Sequence, residues 1–126
     1  MKQVIITPNA PAPIGPYSQA VLKGNTLYTS GQIAINPTNG ELVLDNIKLE
    51  TDQVMKNMAA VLKEAQMSFE DVVKATIFIT DMNNFIEINA VYGSYFNEAS
   101  APARETVQVS KLPKNVNVEI SMIAIK

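Results

Sequence analysis

The stretch VNVEISMIAIK, residues 116–126, has the alternating pattern of a β-strand and is the most informative segment for the fold. Side chains of a strand point alternately to the two faces of a sheet, so the stretch divides into two sets. The first set is wholly apolar and suits a core beneath helices: Val116, Val118, Ile120, Met122 and Ala124. The second set is mixed: Asn117, Glu119, Ser121, Ile123 and Ile125. We therefore predict a strand over 116–125 with a core on one face and a half-apolar surface on the other.

Glu119 lies in the middle of the mixed set, and its position allows two interpretations. On an exposed sheet face it is an ordinary solvated glutamate. If a second copy of the chain covers that face, it becomes a partly desolvated carboxylate. Desolvation raises the pKa of a carboxyl group, which suits it to acid/base chemistry.

Four further segments are predicted as strands. Residues 17–23 and 26–30 form a hairpin, because Gly24-Asn25 between them is a two-residue turn signal. The β-branched run 72–80 and the segment 106–110 complete the set. Residues 7–16 hold four prolines and one glycine, and 36–46 is rich in turn formers, so both are predicted to lie outside helices and central strands.

Two helices are predicted from apolar residues at helical spacing. The first spans about 49–66, and its apolar face consists of Val54, Met58, Val61, Leu62 and Ala65. Ser68 and Asp71 form a capping box for a short helical turn. The second helix spans about 83–98 after a possible cap at Asp81, and its repeating residues are Phe85, Ile88, Tyr92 and Phe96.

This order of elements predicts one α+β domain over 1–126, with two helices on one face of a mixed sheet. Two helices cannot cover both faces. An oligomer that packs sheet against sheet is the natural way to bury the second face.

Composition excludes several kinds of chemistry. The chain has no cysteine and no histidine, which removes disulfides, thiol nucleophiles, the usual metal ligands and the Ser-His-Asp triad. The formal net charge is −2, and no basic stripe suggests a nucleic-acid partner. No secretory signal or membrane-spanning run is predicted, so we expect a soluble, cytoplasmic protein.

Arg104 is the only arginine beside nine lysines, and it begins the strand expected to neighbour the last one. A guanidinium offers a planar fork that binds a carboxylate through two parallel hydrogen bonds. The alternative is a surface ion pair, for instance with Glu105, which contributes little.

Five motifs in order give the chain a specific resemblance. They are IGPYSQA (14–20), SGQI (30–33), KATIFITDMNNFIEINAVYGSYF (74–96), PAR (102–104) and LPKNVNVEI (112–120). In these motifs the sequence resembles the YjgF/RidA family of reactive intermediate deaminases over essentially its whole length.

The resemblance implies a chorismate-mutase-like fold, a six-stranded sheet and a homotrimer with sites between subunits. It implies hydrolysis of enamine and imine acids, such as 2-aminoacrylate and 2-iminobutanoate, to 2-oxo acids and ammonia, without cofactor or metal. Arg104 would bind the substrate carboxylate, and Glu119 would activate water. The remaining residues implied to bind substrate are Tyr17, Ser30, Gly31, Phe85, Asn89 and Thr106.

The sequence departs from the family pattern at three positions. Glu105 and Thr106 replace Ser-Cys, and Ala34 replaces a proline. On a strand Glu105 should point away from Arg104, although it could compete for the guanidinium. A different class of function stays open, namely a regulatory protein that binds small ligands without turnover. Other members of the family have been described as translation inhibitors or ribonucleases.

Overall fold

A computed structural model describes all residues from 1 to 126 and contains six strands and two α-helices. The strands are β1 (Gln3–Ile5), β2 (Ala20–Lys23), β3 (Thr26–Thr29), β4 (Val72–Ile79), β5 (Ala103–Gln108) and β6 (Val118–Ile125). The helices are α1 (Ile47–Glu64) and α2 (Phe85–Gly93). Four short 3₁₀ turns, at Phe69–Asp71, Met82–Asn84, Glu98–Ser100 and Pro113–Asn115, lie in the connections.

The strands form one mixed sheet in the order β1-β2-β3-β6-β4-β5. Only β4 and β5 run parallel, and every other neighbouring pair is antiparallel. The predicted six-stranded α+β architecture is confirmed. The strand that sequence patterns missed is β1, whose three residues are too few to show alternation and which exists because it pairs with β2.

The core lies between the sheet and the two helices, which pack against each other. All five residues of the apolar set in 116–125 are buried, as predicted. The predicted apolar face of α1, from Val54 to Ala65, is buried as well. Asn46 caps this helix by accepting a hydrogen bond from the Leu49 N–H at 2.8 Å. The helix ends at Glu64 because Gln66 adopts a left-handed conformation with φ 60°.

The second helix is shorter than predicted. It ends at Gly93, and the chain continues through Phe96 in a tighter turn, in which the Tyr95 and Phe96 N–H groups donate to carbonyls three residues back. Phe96 still packs on Tyr92, with ring centroids 4.8 Å apart. The apolar spacing extends beyond the α-helix because the tighter turn keeps Phe96 on the same side of the chain as Tyr92.

Three strands begin at other residues than predicted, and β3, β4 and β5 end one or two residues early. β2 begins at Ala20, where it pairs with Ile5 of β1 and Thr29 of β3. β5 begins at Ala103, where it pairs with Lys74 of β4. β6 begins at Val118, because the carboxylate of Glu50 accepts the N–H groups of Asn117 and Val118.

Candidate functional site

Arg104 points to the helix-covered side of the sheet. It is the second residue of β5 and lies opposite Ala75, a fully buried residue of β4. Its guanidinium carbon lies 5.8 Å from the ring centroid of Phe85 and 5.1 Å from that of Tyr92. Helix α2 therefore supplies two aromatic faces that hold the guanidinium by cation–π contact.

The guanidinium has one polar partner in the protomer. Its Nη1 donates a hydrogen bond to Asn89 Oδ1 at 2.6 Å. The protomer contains two ion pairs, Lys56–Asp52 and Lys74–Glu105, and neither includes Arg104. A partly buried arginine with four of its five N–H donors unused is arranged to receive an anion.

Glu105 does not compete for Arg104. Its carboxylate lies on the opposite face of the sheet, 3.1 Å from Lys74 Nζ, and accepts a hydrogen bond from Thr76 Oγ1 at 2.8 Å. These two contacts, that of Thr76 first, lower the pKa of Glu105. The alternative that Arg104 serves in an ion pair with Glu105 is therefore wrong.

We call the space beside Arg104 the arginine cleft. It has a volume of about 620 Å³, and its lining includes Asn89, Tyr92, Glu98 and Arg104. Thr106 is placed on the same side of β5, two residues beyond Arg104. The hydroxyls of Tyr92 and Thr106 are buried without a hydrogen-bond partner.

Tyr92 lines this cleft but was predicted from the sequence only as one of the repeating residues of the second helix. It is 4% exposed and does pack in the core, yet its ring also supports the guanidinium. Burial raises the pKa of its hydroxyl, and the nearby Arg104 charge opposes that rise. The sequence could have indicated this role, because Tyr92 lies seven residues after Phe85 and therefore on the same helix face.

Glu119 lies on the other face of the sheet in a small cavity of about 70 Å³, which we call the glutamate cavity. It is half-buried and has no cationic partner, and burial raises the pKa of its carboxyl group. Glu119 is therefore partly desolvated within one chain, and its burial by a second copy stays a prediction.

Gly31 leaves room for the close approach of the Glu119 side chain. A Cβ at position 31 would lie 2.7 Å from Glu119 Cδ, closer than real Cβ contacts allow. The neighbouring backbone is fixed by two hydrogen bonds between Gln32 and Ile120, of 2.8 and 3.1 Å. The SGQI motif therefore places a bare backbone against the carboxylate.

Tyr17 and Ser30, the other predicted residues on this side, have different positions. Tyr17 lines the glutamate cavity, is 49% exposed, and accepts a hydrogen bond from Ile14 N–H at 3.4 Å. Ser30 is not among the lining residues. Its hydroxyl donates to the Ser18 carbonyl at 2.6 Å, so in the protomer it ties the hairpin to the segment before it.

The protomer does not bring Arg104 and Glu119 together. The arginine cleft opens on the helix-covered side of the sheet and the glutamate cavity on the other side. Strand β4 also separates β5 from β6, so the prediction that Arg104 begins the neighbouring strand is wrong. Nowhere in the chain do three His, Cys, Asp or Glu side chains gather as a metal site would need, and neither helix is long and apolar enough to cross a bilayer.

The chain is a small α+β protein with the arginine cleft on one side of its sheet and the glutamate cavity on the other. Comparison with known proteins identifies its family. A family model described as endoribonuclease L-PSP matches residues 7–126. The chain belongs to this family, the YjgF/RidA family that its motifs resemble.

Three relatives show how close the similarity is. A RutC family protein from Pyrococcus horikoshii is 53% identical over 126 residues, which is 100% of this chain and 99% of the relative. The Rid-family protein YyfA from Yersinia pestis is 51% identical, with a TM-score of 0.97 and full coverage of both chains. E. coli TdcF with bound serine is 41% identical, with a TM-score of 0.93 and 98% coverage of each chain.

Proposed function

We propose that the protein is a hydrolytic deaminase that converts 2-imino acids and their enamine tautomers into 2-oxo acids and ammonia. The observation that carries the proposal is Arg104, held between two aromatic rings with no acidic partner. Such a guanidinium suits a planar carboxylate, which every 2-imino acid carries. The serine bound to the related TdcF is a ligand with the same carboxylate.

The proposed active site lies between two copies of the chain. The arginine cleft of one copy would face the glutamate cavity of the next, as in the homotrimer implied by the family. The sheet face opposite the helices supports this assembly, because it carries an apolar set that one protomer leaves partly uncovered. That set is Val21, Tyr28, Phe78, Val107, Ile123 and Ile125.

The chemistry needs an oriented water and one proton shuttle. Glu119 accepts a proton from water while the water oxygen bonds to the imine carbon, and the proton passes to the imine nitrogen. The product is a 2-amino-2-hydroxy acid. Glu119 then transfers the hydroxyl proton to the amino nitrogen, the C–N bond breaks, and ammonia leaves a 2-oxo acid. A raised pKa suits this shuttle, because a general base is most effective near the working pH.

Two other functions fit the site less well. A protein that only binds carboxylates needs Arg104, but a half-buried Glu119 beside an anionic ligand weakens binding, so its presence favours turnover. The family model is described as an endoribonuclease. Yet the chain has no histidine, a net charge of −2, and one arginine to meet a phosphate backbone.

The test is to generate 2-iminobutanoate from threonine with a pyridoxal-phosphate dehydratase and to follow 2-oxobutanoate. We expect the protein to accelerate its formation beyond spontaneous hydrolysis. A rate equal to that of the dehydratase alone, with folded protein present, would contradict the proposal.

A cytoplasmic location stays a prediction from the sequence.

A further inference from the structure

Glu50 is a fully buried carboxylate on α1 that no cation neutralises. It accepts three hydrogen bonds, two from Asn117 just before β6 and one from Val118, the first residue of β6. Asn117 N–H and Asn117 Nδ2 each donate at 2.7 Å, and Val118 N–H donates at 3.3 Å. A buried acid is costly, so three donors from two consecutive residues indicate a defined task.

That task concerns the next residue along the chain, Glu119. Its backbone lies between two anchors. Glu50 holds Asn117 and Val118 on one side, and the paired hydrogen bonds between Gln32 and Ile120 hold the other side. The Glu119 side chain projects to the opposite face, against Gly31. The two anchors therefore hold the backbone from which the Glu119 side chain projects.

We propose that Glu50 is a positioning residue for Glu119, acting from the core through the backbone of Asn117 and Val118. The inference rests on the proposed function, in which Glu119 moves the proton. It requires the reach and the acceptor oxygens of the Glu50 side chain and not its charge.

Two substitutions separate reach from charge. Glu50→Gln keeps the length. Its amide oxygen can accept both backbone N–H groups, and Asn117 can reverse its own amide to accept from the new NH₂. Glu50→Asp keeps the acid but is one methylene shorter, so it leaves the strand end unheld.

We expect Glu50→Gln to keep kcat within about twofold of wild type. We expect Glu50→Asp to lower kcat roughly ten- to hundredfold, since misplacing a reacting group by about 1 Å has effects of this size. Neither variant should change the Kd for 2-oxobutanoate, which depends on Arg104. Glu64→Asp, an exposed acid on the same helix, is the matched control and should change neither value.

Three results would overturn the proposal. Equal kcat in both variants and wild type would show that Glu50 does not position Glu119. Equal losses in both would show that its charge matters. A parallel rise in Kd would indicate general damage to the fold. Should Glu50→Asp fail to fold, Asn117→Ala, which removes one of the three donors, must lower kcat in the same way by a smaller factor.

A second measurement does not depend on turnover. The Glu119 carboxyl can be titrated by ¹³C NMR, and Tyr17 is the only other titratable group lining its cavity. Glu50→Asp should bring the pKa of Glu119 closer to its ordinary value as water enters, and Glu50→Gln should leave it raised. If wild type hydrolyses no imine but this pattern appears, the proposed function is wrong and the positioning role stands. If the pattern is absent, the positioning role is wrong.

Discussion

Arg104 and Glu119 share one property, which is that neither meets an opposite charge in its own protomer. Arg104 is stabilised by rings and an amide, and Glu119 lies against bare backbone. Unpaired charges in partly buried positions are unfavourable for folding alone. A role in binding or converting a ligand would explain why both charges are left unpaired. Variants of Arg104 and Glu119 test that role.

Glu119 should control the dependence of hydrolysis on pH. The base form is needed, and burial raises the pKa of this carboxyl group, so the acid limb of kcat/KM should lie above the ordinary glutamate value of about 4.3. Glu119→Gln should lower kcat roughly 10²- to 10⁴-fold and abolish the limb, while 2-oxobutanoate binds as before. Undiminished hydrolysis by this variant would remove Glu119 from the mechanism.

Glu119 should also leave a signature in stability. Its pKa is higher in the folded chain, so the unfolded chain loses this proton first as pH rises. The free energy of unfolding therefore falls as the pH rises from the ordinary pKa to the raised pKa of the folded chain. Above the raised pKa this contribution no longer changes with pH. Glu119→Gln should lack this fall and be at least as stable as wild type at neutral pH. Urea unfolding across the acidic range tests the sign.

Arg104→Lys should retain the fold and weaken 2-oxobutanoate binding roughly ten- to hundredfold. Lysine keeps the charge but loses the planar fork, and a hydrogen bond to a charged group contributes about 1.5–3 kcal/mol. Arg104→Ala should abolish binding. Calorimetric titration gives both affinities, and circular dichroism checks folding. Unchanged affinity in the lysine variant would contradict the bidentate account, and unfolding of the alanine variant would show that Arg104 is mainly structural.

Two tyrosines offer a matched comparison of stability. The Tyr92 hydroxyl is buried and unpartnered, whereas the Tyr95 hydroxyl donates to Asp52 Oδ1 at 2.5 Å. Tyr92→Phe should be neutral or stabilising, because it removes an unsatisfied group that costs about 1–3 kcal/mol. Tyr95→Phe should destabilise by about 1 kcal/mol, since the bond is partly exposed. The midpoints of thermal unfolding of both variants test this prediction. A clear loss of stability in Tyr92→Phe would show that its hydroxyl has a partner.

At the scale of elements, sequence patterns predicted what depends on local periodicity. The apolar face of α1 and the alternation of β6 are periodic over many residues and were confirmed. The start of β6 was not predictable, because it is set by a contact with Glu50, 67 residues away. The same limit applied to β1, which is only three residues long.

The candidate site was predictable as a list of residues but not as an arrangement. Arg104 stood out by its residue type, and Glu119 by its place in an apolar strand. Their separation follows from the strand order and from the parallel register of β5 on β4. No local pattern encodes either feature, since both depend on how distant segments pair.

The N-terminal segment depends on one buried side chain. Gln19 shares its two Nε2 hydrogens among the carbonyls of Thr7, Ala10 and Pro11 and accepts from the Thr7 N–H at 2.7 Å. Gln19→Ala should destabilise the protein by about 2–4 kcal/mol, because these backbone groups lose their partner. Gln3→Ala, at an exposed position of β1, is the control. Equal urea midpoints for the two variants would show that the segment is held in another way.

At the scale of the whole molecule, the opposed positions of the arginine cleft and the glutamate cavity are the central feature. One copy of the chain has both groups but cannot apply them to one small substrate. A closed ring of copies solves this, because each interface then joins two different surfaces of the same chain. In the proposed function, activity therefore depends on assembly, and light scattering at micromolar concentration should give the mass of a trimer.

Complementation between two inactive variants tests this claim most directly. Arg104→Ala and Glu119→Gln are unfolded together, mixed in equal amounts, refolded and assayed for hydrolysis of 2-iminobutanoate. If each site takes Arg104 from one copy and Glu119 from another, random mixing leaves about a quarter of the sites intact. We expect about that fraction of wild-type activity in the mixture and almost none in either variant refolded alone. A mixture as inactive as its components, although its assemblies contain both chains, would contradict it.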